Sequence, residues 1–232
     1  MTKQKGNAMS LDLYIGNKNY SSWSLRPWLL LKHLGIPFTE HMVSVGGRDY
    51  NPALRPIAGN ARVPCLHVDE FQIWESLAIA EYLAEQHPQL WPADTQARAR
   101  ARSISAEMHS GFVDLRKAMP MNLKFKLKGK PATAAVQRDI DRIVEIWIEA
   151  RTRFATPAGP WLFGAFSIAD AMFAPVAWRF HIYNVPLPDV AAAYRDALLA
   201  HPAMQEWYTA ALQETEAHAH YDDVAKEYGG GR

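Results

Sequence analysis

Short apolar segments and helical segments alternate through the first third of the chain. In "LDLYIG", residues 11 to 16, apolar positions alternate along one face, which is typical of a strand. The segments "IPFTEHMVSV", "CLHVD" and "FQIW" indicate further strands. A helix is predicted from about Ser24 to Leu34, with Gly35 as its stop, and "ESLAIAEYLAEQH" has helical spacing. The loop "GGRDYNPALRPIAGN" allows at most a short helix, so the predicted order is β-α-β-α-β-β-α.

The rest of the chain has helical patterns. The segment "VQRDIDRIVEIWIEARTRF" carries one apolar stripe, and "FSIADAMF" carries a capping box from Ser167 to Asp170. Two more helices are predicted over residues 189–200 and 202–216. We therefore predict a flexible N-terminal tail over residues 1–10, an α/β domain over residues 11–87, a linker over residues 88–97, an all-α helical-bundle domain over residues 98–216 and a C-terminal tail over residues 217–232.

Composition and charge narrow the class of protein. The chain of 232 residues is 49% hydrophobic with a formal net charge of +1, so nucleic acid and an anionic membrane are not expected as partners. The N-terminal segment has no apolar stretch of the secretory type, and the most apolar segment, residues 168–180, is too short to span a bilayer. A single cysteine, Cys65, excludes an internal disulfide and favours a reducing, cytoplasmic location.

A cluster of serines stands where a thioredoxin has its reactive cysteines. The predicted order of elements is that of a thioredoxin, whose cysteines lie at the start of the first helix, and this chain has Ser21, Ser22 and Ser24 there. A hydroxyl is a poor nucleophile without a base, but it donates well to a thiolate from another molecule. The cluster therefore predicts a site that receives a thiol, with Ser24 interpreted as a helix cap.

Two further motifs indicate what carries that thiol. If the bond between Val63 and Pro64 is cis, the Val63 backbone is free to pair with an extended peptide as an added strand. Glu75 and Ser76 open a helix, where free N–H groups and a hydroxyl suit a carboxylate and the acidic side chain suits an ammonium group. Glutathione has a thiol, a strand-like backbone and an amino-acid head group.

These motifs together resemble those of the soluble glutathione S-transferases. The S-S-x-S-x-R run at residues 21–26 is similar to the serine motif of zeta-like bacterial classes. The segments "ARVPCL", "WESLAIAEYL" and "FSIADAMFAPV" follow in the order of the family, between about residue 11 and about residue 214. Trp23 departs from the small residue or cysteine that is common in the zeta motif. The resemblance implies a thioredoxin-like N-terminal domain, an all-α C-terminal domain and a homodimer.

The family resemblance also implies roles for the matching positions. A serine of the first helix would donate to the glutathione sulfur: counting back from Arg26 selects Ser22, whereas alignment to the zeta motif selects Ser21, and both stay open. Trp23, from the same motif, is included among the residues expected to contact glutathione. The other glutathione contacts that the resemblance implies are Arg62 for a carboxylate, Val63 and Pro64 for the cysteinyl backbone, and Glu75 and Ser76 for the γ-glutamyl end.

The leading functional hypothesis is a detoxifying glutathione S-transferase that joins the glutathione thiolate to small apolar electrophiles. The alternatives are a glutathione-dependent isomerase or peroxidase on the same site, and a non-catalytic binding module. Glutathione is expected as co-substrate and no metal is expected, because His218 and His220 lie in a predicted tail without rigid geometry. Phe112, Phe173 and Trp178 are candidates for the apolar pocket of the electrophile.

Overall fold

The computed structural model describes residues 10–44, 50–127, 129, 131, 133–155 and 159–228. The predicted N-terminal tail, apart from Ser10, lies outside the described residues, as do residues 45–49 of the long loop before Arg62. Within the described part, no helix is long and apolar enough to cross a membrane.

Four strands of the described residues form one mixed sheet in the first third of the chain. They are β1 (Leu11–Ile15), β2 (Thr39–Met42), β3 (Cys65–Val68) and β4 (Phe71–Trp74), and they lie side by side in the order β2-β1-β3-β4. β1 pairs parallel with β2 and antiparallel with β3, and β3 pairs antiparallel with β4. In place of the second predicted helix there is one 3-10 turn, Pro52–Leu54, as the prolines and glycines of that loop indicated.

Two α-helices accompany the sheet. Helix α1 covers Ser22–Leu34 and begins two residues before the predicted start, so Pro27 lies in its second turn. Gly35 ends α1 as predicted, with a φ of 65° and its N–H donated to the carbonyl of Lys32. Helix α2 covers Ser76–Gln86. This unit confirms the predicted thioredoxin-like arrangement.

Helices make up most of the remaining described chain, which confirms the all-α second half. They are α3 (Thr95–Ser110), α4 (Val113–Ala118), α5 (Ala134–Arg153), α6 (Ile168–Ile182), α7 (Asp189–Ala200), α8 (Pro202–Gln213) and α9 (Ala219–Glu227). A 3-10 turn, Pro88–Leu90, follows α2, and we propose that the segment around it divides the two domains.

Helix α6 is the centre of the second half and also joins it to the first. It is buried along almost its whole length and packs against α1, α3 and α7. The predicted capping box is present, since the Asp170 carboxylate accepts the Ser167 N–H at 2.8 Å. The same carboxylate accepts the Leu162 N–H and the Tyr194 hydroxyl, each at 3.0 Å. The packing of α6 on α1 brings residues of the second half beside the serine cluster.

The structure differs from the sequence prediction at the C-terminal end. Residues 217–232 were expected as a tail, but residues 219–227 form helix α9. Asp222 on this helix is buried and accepts the Tyr20 hydroxyl at 2.9 Å and the Asn122 amide at 2.8 Å. The Tyr20 ring also stacks on Tyr221 with centroids 5.0 Å apart. These contacts join α9 to the residue that precedes the serine cluster.

Candidate active site

One cavity brings all the predicted site residues together. It has a volume of about 380 Å³ and is enclosed by the start of α1, the loop before β3, the start of α2, and residues of α4, α6 and α9. The predicted residues that line it are Ser21, Ser22, Trp23, Arg62, Val63, Pro64, Glu75 and Ser76. Residues about 50 positions apart in the sequence therefore share one wall, as a single bound ligand requires.

Ser21 and Ser24 form a linked pair of hydroxyls at the start of α1. Ser21 is the N-cap, and its Oγ accepts the Ser24 N–H at 3.4 Å and lies 2.7 Å from the Ser24 Oγ. Ser24 is fully buried, and its Oγ accepts the Gly16 N–H at 3.1 Å. The cap assigned to Ser24 from the sequence is thus provided by Ser21, because α1 begins at Ser22. A Cβ added at Gly16 would lie 3.3 Å from the Ser21 Oγ and 3.2 Å from Val63, so glycine permits this close approach.

Ser22 makes a different contact. It is the first residue of α1, and its Oγ accepts a hydrogen bond from the Arg179 Nη2 of α6 at 3.2 Å. Ser21 and Ser22 both line the cavity. Both therefore stay candidates for the hydroxyl that meets a ligand sulfur.

The Val63 backbone lies at the cavity outside the paired strands. The bond between Val63 and Pro64 is cis, and the register of β3 with β1 begins only at Cys65. Arg62 is exposed beside it, and its N–H donates to the Asn60 Oδ1 at 3.1 Å. Cys65 itself is fully buried, and burial raises the pKa of its thiol to about 11. A buried thiol with a raised pKa is a poor nucleophile at neutral pH.

The start of α2 forms the next part of the cavity wall. Glu75 is the N-cap residue, with a φ of 71°, yet its side chain makes no capping hydrogen bond. Its carboxylate instead lies 3.6 Å from the His109 Nε2. Ser76 is buried, and its Oγ accepts a long hydrogen bond from the Arg26 Nη1 at 3.5 Å. The first turn of α2 therefore presents a hydroxyl to the cavity with a guanidinium behind it.

Positive charge at the cavity is the feature that sequence reasoning missed. Arg116 and Lys117 of α4 and Arg179 of α6 line the cavity. The guanidinium groups of Arg26 and Arg116 lie 4.3 Å and 5.2 Å from the centroid of the Trp23 ring. Burial lowers the pKa of Arg179 to about 10 and that of Arg26 well below its usual value. Across the described ranges, Arg179 forms no ion pair with a carboxylate. An arginine inside the apolar segment "MFAPVAWRF" is the sequence signal that could have found it.

The aromatic residues proposed for the electrophile pocket do not line the cavity. Phe112, Phe173 and Trp178 are buried in the core, where Phe173 packs edge-to-face on Trp147 with centroids 5.9 Å apart. They were selected because apolar aromatics suit a pocket, but the same property places them inside a helical bundle. The apolar wall consists instead of Val113, Pro120 and Met121, with Tyr20, His218 and Tyr221 beside α9.

The histidines near the C-terminal end do not assemble a metal site. Asp222 is engaged with Tyr20 and Asn122, and His218 lines the cavity. In the part of the chain that the structure describes, no group of three or more His, Cys, Asp and Glu side chains is arranged to hold a metal ion.

The comparisons with known proteins agree with this fold. The glutathione S-transferase N-terminal domain matches residues 20–86, and the C-terminal domain of the same family matches residues 132–210. The N-terminal match begins just before the serine cluster and ends with α2, so it includes every predicted site residue.

Full-length relatives and a solved structure are also similar to this chain. A rat protein named maleylacetoacetate isomerase is 29% identical over 213 residues, which is 88% of this chain and 95% of that protein. A Pseudomonas aeruginosa protein of the same name is 30% identical over 209 residues, 84% of this chain and 97% of that protein. A crystal structure of a glutathione transferase homolog from Burkholderia GL BGR1, with bound glutathione, is 26% identical, covers 89% of this chain and 100% of that chain, and has a TM-score of 0.64. The chain belongs to the glutathione S-transferase family.

Proposed function

We propose that this protein uses glutathione to isomerise a small unsaturated carboxylic acid. The observation that carries the proposal is Arg179, a buried cation without a carboxylate partner among the described residues, in the cavity that also holds the predicted glutathione residues. A buried charge is costly unless a counter-ion reaches it, and a substrate carboxylate would be that counter-ion. Two relatives are named for maleylacetoacetate, a carboxylic acid with a cis double bond, which supports the same substrate class.

Glutathione would lie along the thioredoxin-like wall of the cavity. Glu75 and Ser76 at the start of α2 suit its γ-glutamyl ammonium and carboxylate groups, and the Val63 backbone suits its cysteinyl unit. Its sulfur would then face Ser21 and Ser22 at the positive end of α1. A thiol with a pKa of about 8.5 is mostly protonated at neutral pH, so hydroxyl donors and nearby arginines increase the thiolate fraction.

The proposed isomerisation consumes neither glutathione nor any other co-reactant. The thiolate adds to one carbon of the conjugated double bond, forming an S–C bond while the electron pair moves onto the neighbouring carbonyl oxygen. Rotation about the new single bond follows. When the electron pair returns, the S–C bond breaks, the thiolate leaves, and the double bond re-forms in the trans geometry. Arg116 and Arg179 would hold the carboxylate and stabilise the negative oxygen during this sequence.

A conjugating transferase is the second candidate. The same thiolate would attack an apolar electrophile, and the bond to sulfur would persist. The observation in its favour is the apolar part of the cavity, formed by Val113, Pro120 and Met121. The two reactions differ in one measurable quantity, because conjugation consumes glutathione and isomerisation returns it.

The test supplies maleylacetoacetate and, separately, chlorodinitrobenzene to the protein with glutathione, and follows both product and free thiol. Isomerisation without thiol loss supports the proposal, and thiol loss with either substrate and no isomerisation supports conjugation. Arg116→Gln should lower kcat/KM for the carboxylate substrate about ten- to a hundred-fold, the effect of one charge-assisted hydrogen bond, and lower that for the apolar substrate much less. Arg100→Gln is the matched control, since Arg100 pairs with Glu149 on the surface at 3.3 Å. Absence of turnover with both substrates would contradict an enzymatic role.

We also propose that the chain forms a homodimer, as its family resemblance implies. Phe71 and Trp74 on β4, an edge strand of the sheet, are exposed large apolar side chains that would be covered by a second copy. Sedimentation at micromolar concentration should give about twice the chain mass of 26.1 kDa. A mass equal to one chain would contradict the dimer.

A further inference from the structure

Arg179 connects the core of the helical domain to the first helix of the thioredoxin-like domain. It lies within the buried helix α6 and is 4% exposed. Its Nε donates to the Met119 carbonyl at 2.8 Å, which holds the guanidinium in place, and its Nη2 donates to the Ser22 Oγ at 3.2 Å. Both Arg179 and Ser22 line the cavity.

The hydrogen bond from Arg179 determines what the Ser22 hydroxyl can do. Its oxygen accepts from a cation, and within the described ranges its own hydrogen has no acceptor at hydrogen-bond distance. A hydroxyl whose oxygen accepts from a charged donor becomes a stronger donor itself, since hydrogen bonds in a chain polarise one another. Ser21 is placed differently, because its Oγ is 2.7 Å from the Ser24 Oγ and serves as the cap of α1.

We propose that Arg179 is a positioning residue that acts through Ser22, which donates its free hydrogen to the glutathione sulfur and stabilises the thiolate. This inference rests on the proposed use of glutathione. It selects Ser22 over Ser21 as the hydroxyl that holds the sulfur, and it makes a residue of the helical domain part of the thiolate site. The substrate carboxylate is not needed for this role.

Among the residues that the structure describes, four other charged or titratable groups interact with Arg179. Arg26 of α1 and Arg116 of α4 repel its charge, and the hydroxyls of Tyr183 and of Tyr221 on α9 lie near it. Burial lowers the pKa of Arg179 to about 10, so the guanidinium stays protonated at neutral pH. The cation is therefore present under the conditions in which the thiol must ionise.

The experiment measures the thiol pKa of bound glutathione by ultraviolet titration, with no second substrate present. In Arg179→Met the pKa should rise by about one unit or more, which is the low end of what a close opposite charge does. Arg179→Lys keeps the charge and should restore part of the shift. Arg151→Met is the control, because Arg151 also donates to backbone carbonyls, those of Gly159 at 3.0 Å and Trp161, but lies outside the cavity lining.

Ser22→Ala keeps the proposal testable if the buried Arg179 variants fail to fold. It should raise the thiol pKa more than Ser21→Ala does, and in the Ser22→Ala background Arg179→Met should add much less than it does alone. A larger shift in Ser21→Ala, or no shift in Ser22→Ala, would overturn the inference. Calorimetry with glutathione distinguishes failure of this inference from failure of the proposed function, because a protein that does not bind glutathione at all contradicts the proposed function.

Discussion

Replacing Ser76 by alanine tests the glutathione pocket at the start of α2. Ser76 is 1% exposed, and its Oγ accepts from Arg26 at a long 3.5 Å, so its hydrogen is available for a ligand. A hydrogen bond from this hydroxyl to the γ-glutamyl carboxylate is charge-assisted and contributes about 1.5–3 kcal/mol. We therefore expect Ser76→Ala to weaken glutathione binding about ten- to a hundred-fold. The rate of the bound reaction should change less, because Ser76 is not among the serines that face the sulfur.

Glu75→Ala should have a smaller effect by the same measurement. The Glu75 side chain is 46% exposed, so water and salt screen its attraction for an ammonium group. A screened pair of this kind contributes about 0.2–1 kcal/mol, which is at most a few-fold in affinity. The expected order is therefore a large loss for Ser76→Ala and a small one for Glu75→Ala.

Isothermal titration calorimetry with glutathione measures both effects, and Thr133→Ala is the matched control. Thr133 caps α5 away from the cavity by accepting the Val136 N–H at 3.3 Å, so its loss should cost about 1 kcal/mol of folding free energy and leave affinity unchanged. Unchanged affinity in Ser76→Ala would refute the pocket. Equal losses in Ser76→Ala and Thr133→Ala would show that the effect comes from weakened folding.

Two further predictions concern stability and α9. Burial lowers the pKa of His201 to about 4, below its unfolded value of about 6.5. The free energy of unfolding is therefore highest above pH 6.5 and is lower by about 2 kcal/mol at about pH 5. Urea denaturation at both pH values should show a smaller fall in His201→Asn, which keeps an acceptor for the Ala203 N–H. Asp222→Ala removes the acceptor of the Tyr20 hydroxyl, so hydrogen exchange over residues 219–227 should accelerate, whereas the exposed Asp223→Ala should leave it unchanged.

Local sequence signals were sufficient for most elements of the fold and for eight of the residues that line the cavity. The strand patterns, the Gly35 stop and the Ser167 capping box each depend on neighbours a few residues away, and the structure has all three. The serine cluster, the Val-Pro pair and the Glu-Ser pair were assigned to one site because a single ligand could explain them. All of these residues except the buried Ser24 line the same cavity.

These local signals did not predict contacts between distant parts of the chain. Arg179 meets Ser22 across 157 positions, and Asp222 meets Tyr20 across 202 positions. The segment that forms α9 is polar and terminal, which is also the composition of a tail, and its helix is held by a contact that no local pattern encodes. The same limit applies to Phe173, whose apolar ring fits a core and a pocket equally well.

Two features of the free protein cost stability, and they lie on the same cavity. Glu75 has a φ of 71°, which costs a side-chain residue about 1–2 kcal/mol, and it makes no capping bond in exchange. Arg179 is buried, with no carboxylate partner in the described chain. Natural sequences depart from local rules chiefly at functional sites. A ligand with an ammonium group near Glu75 and an anion near Arg179 would offset both costs, which is why we expect glutathione, and the substrate beside it, to stabilise the fold when they bind.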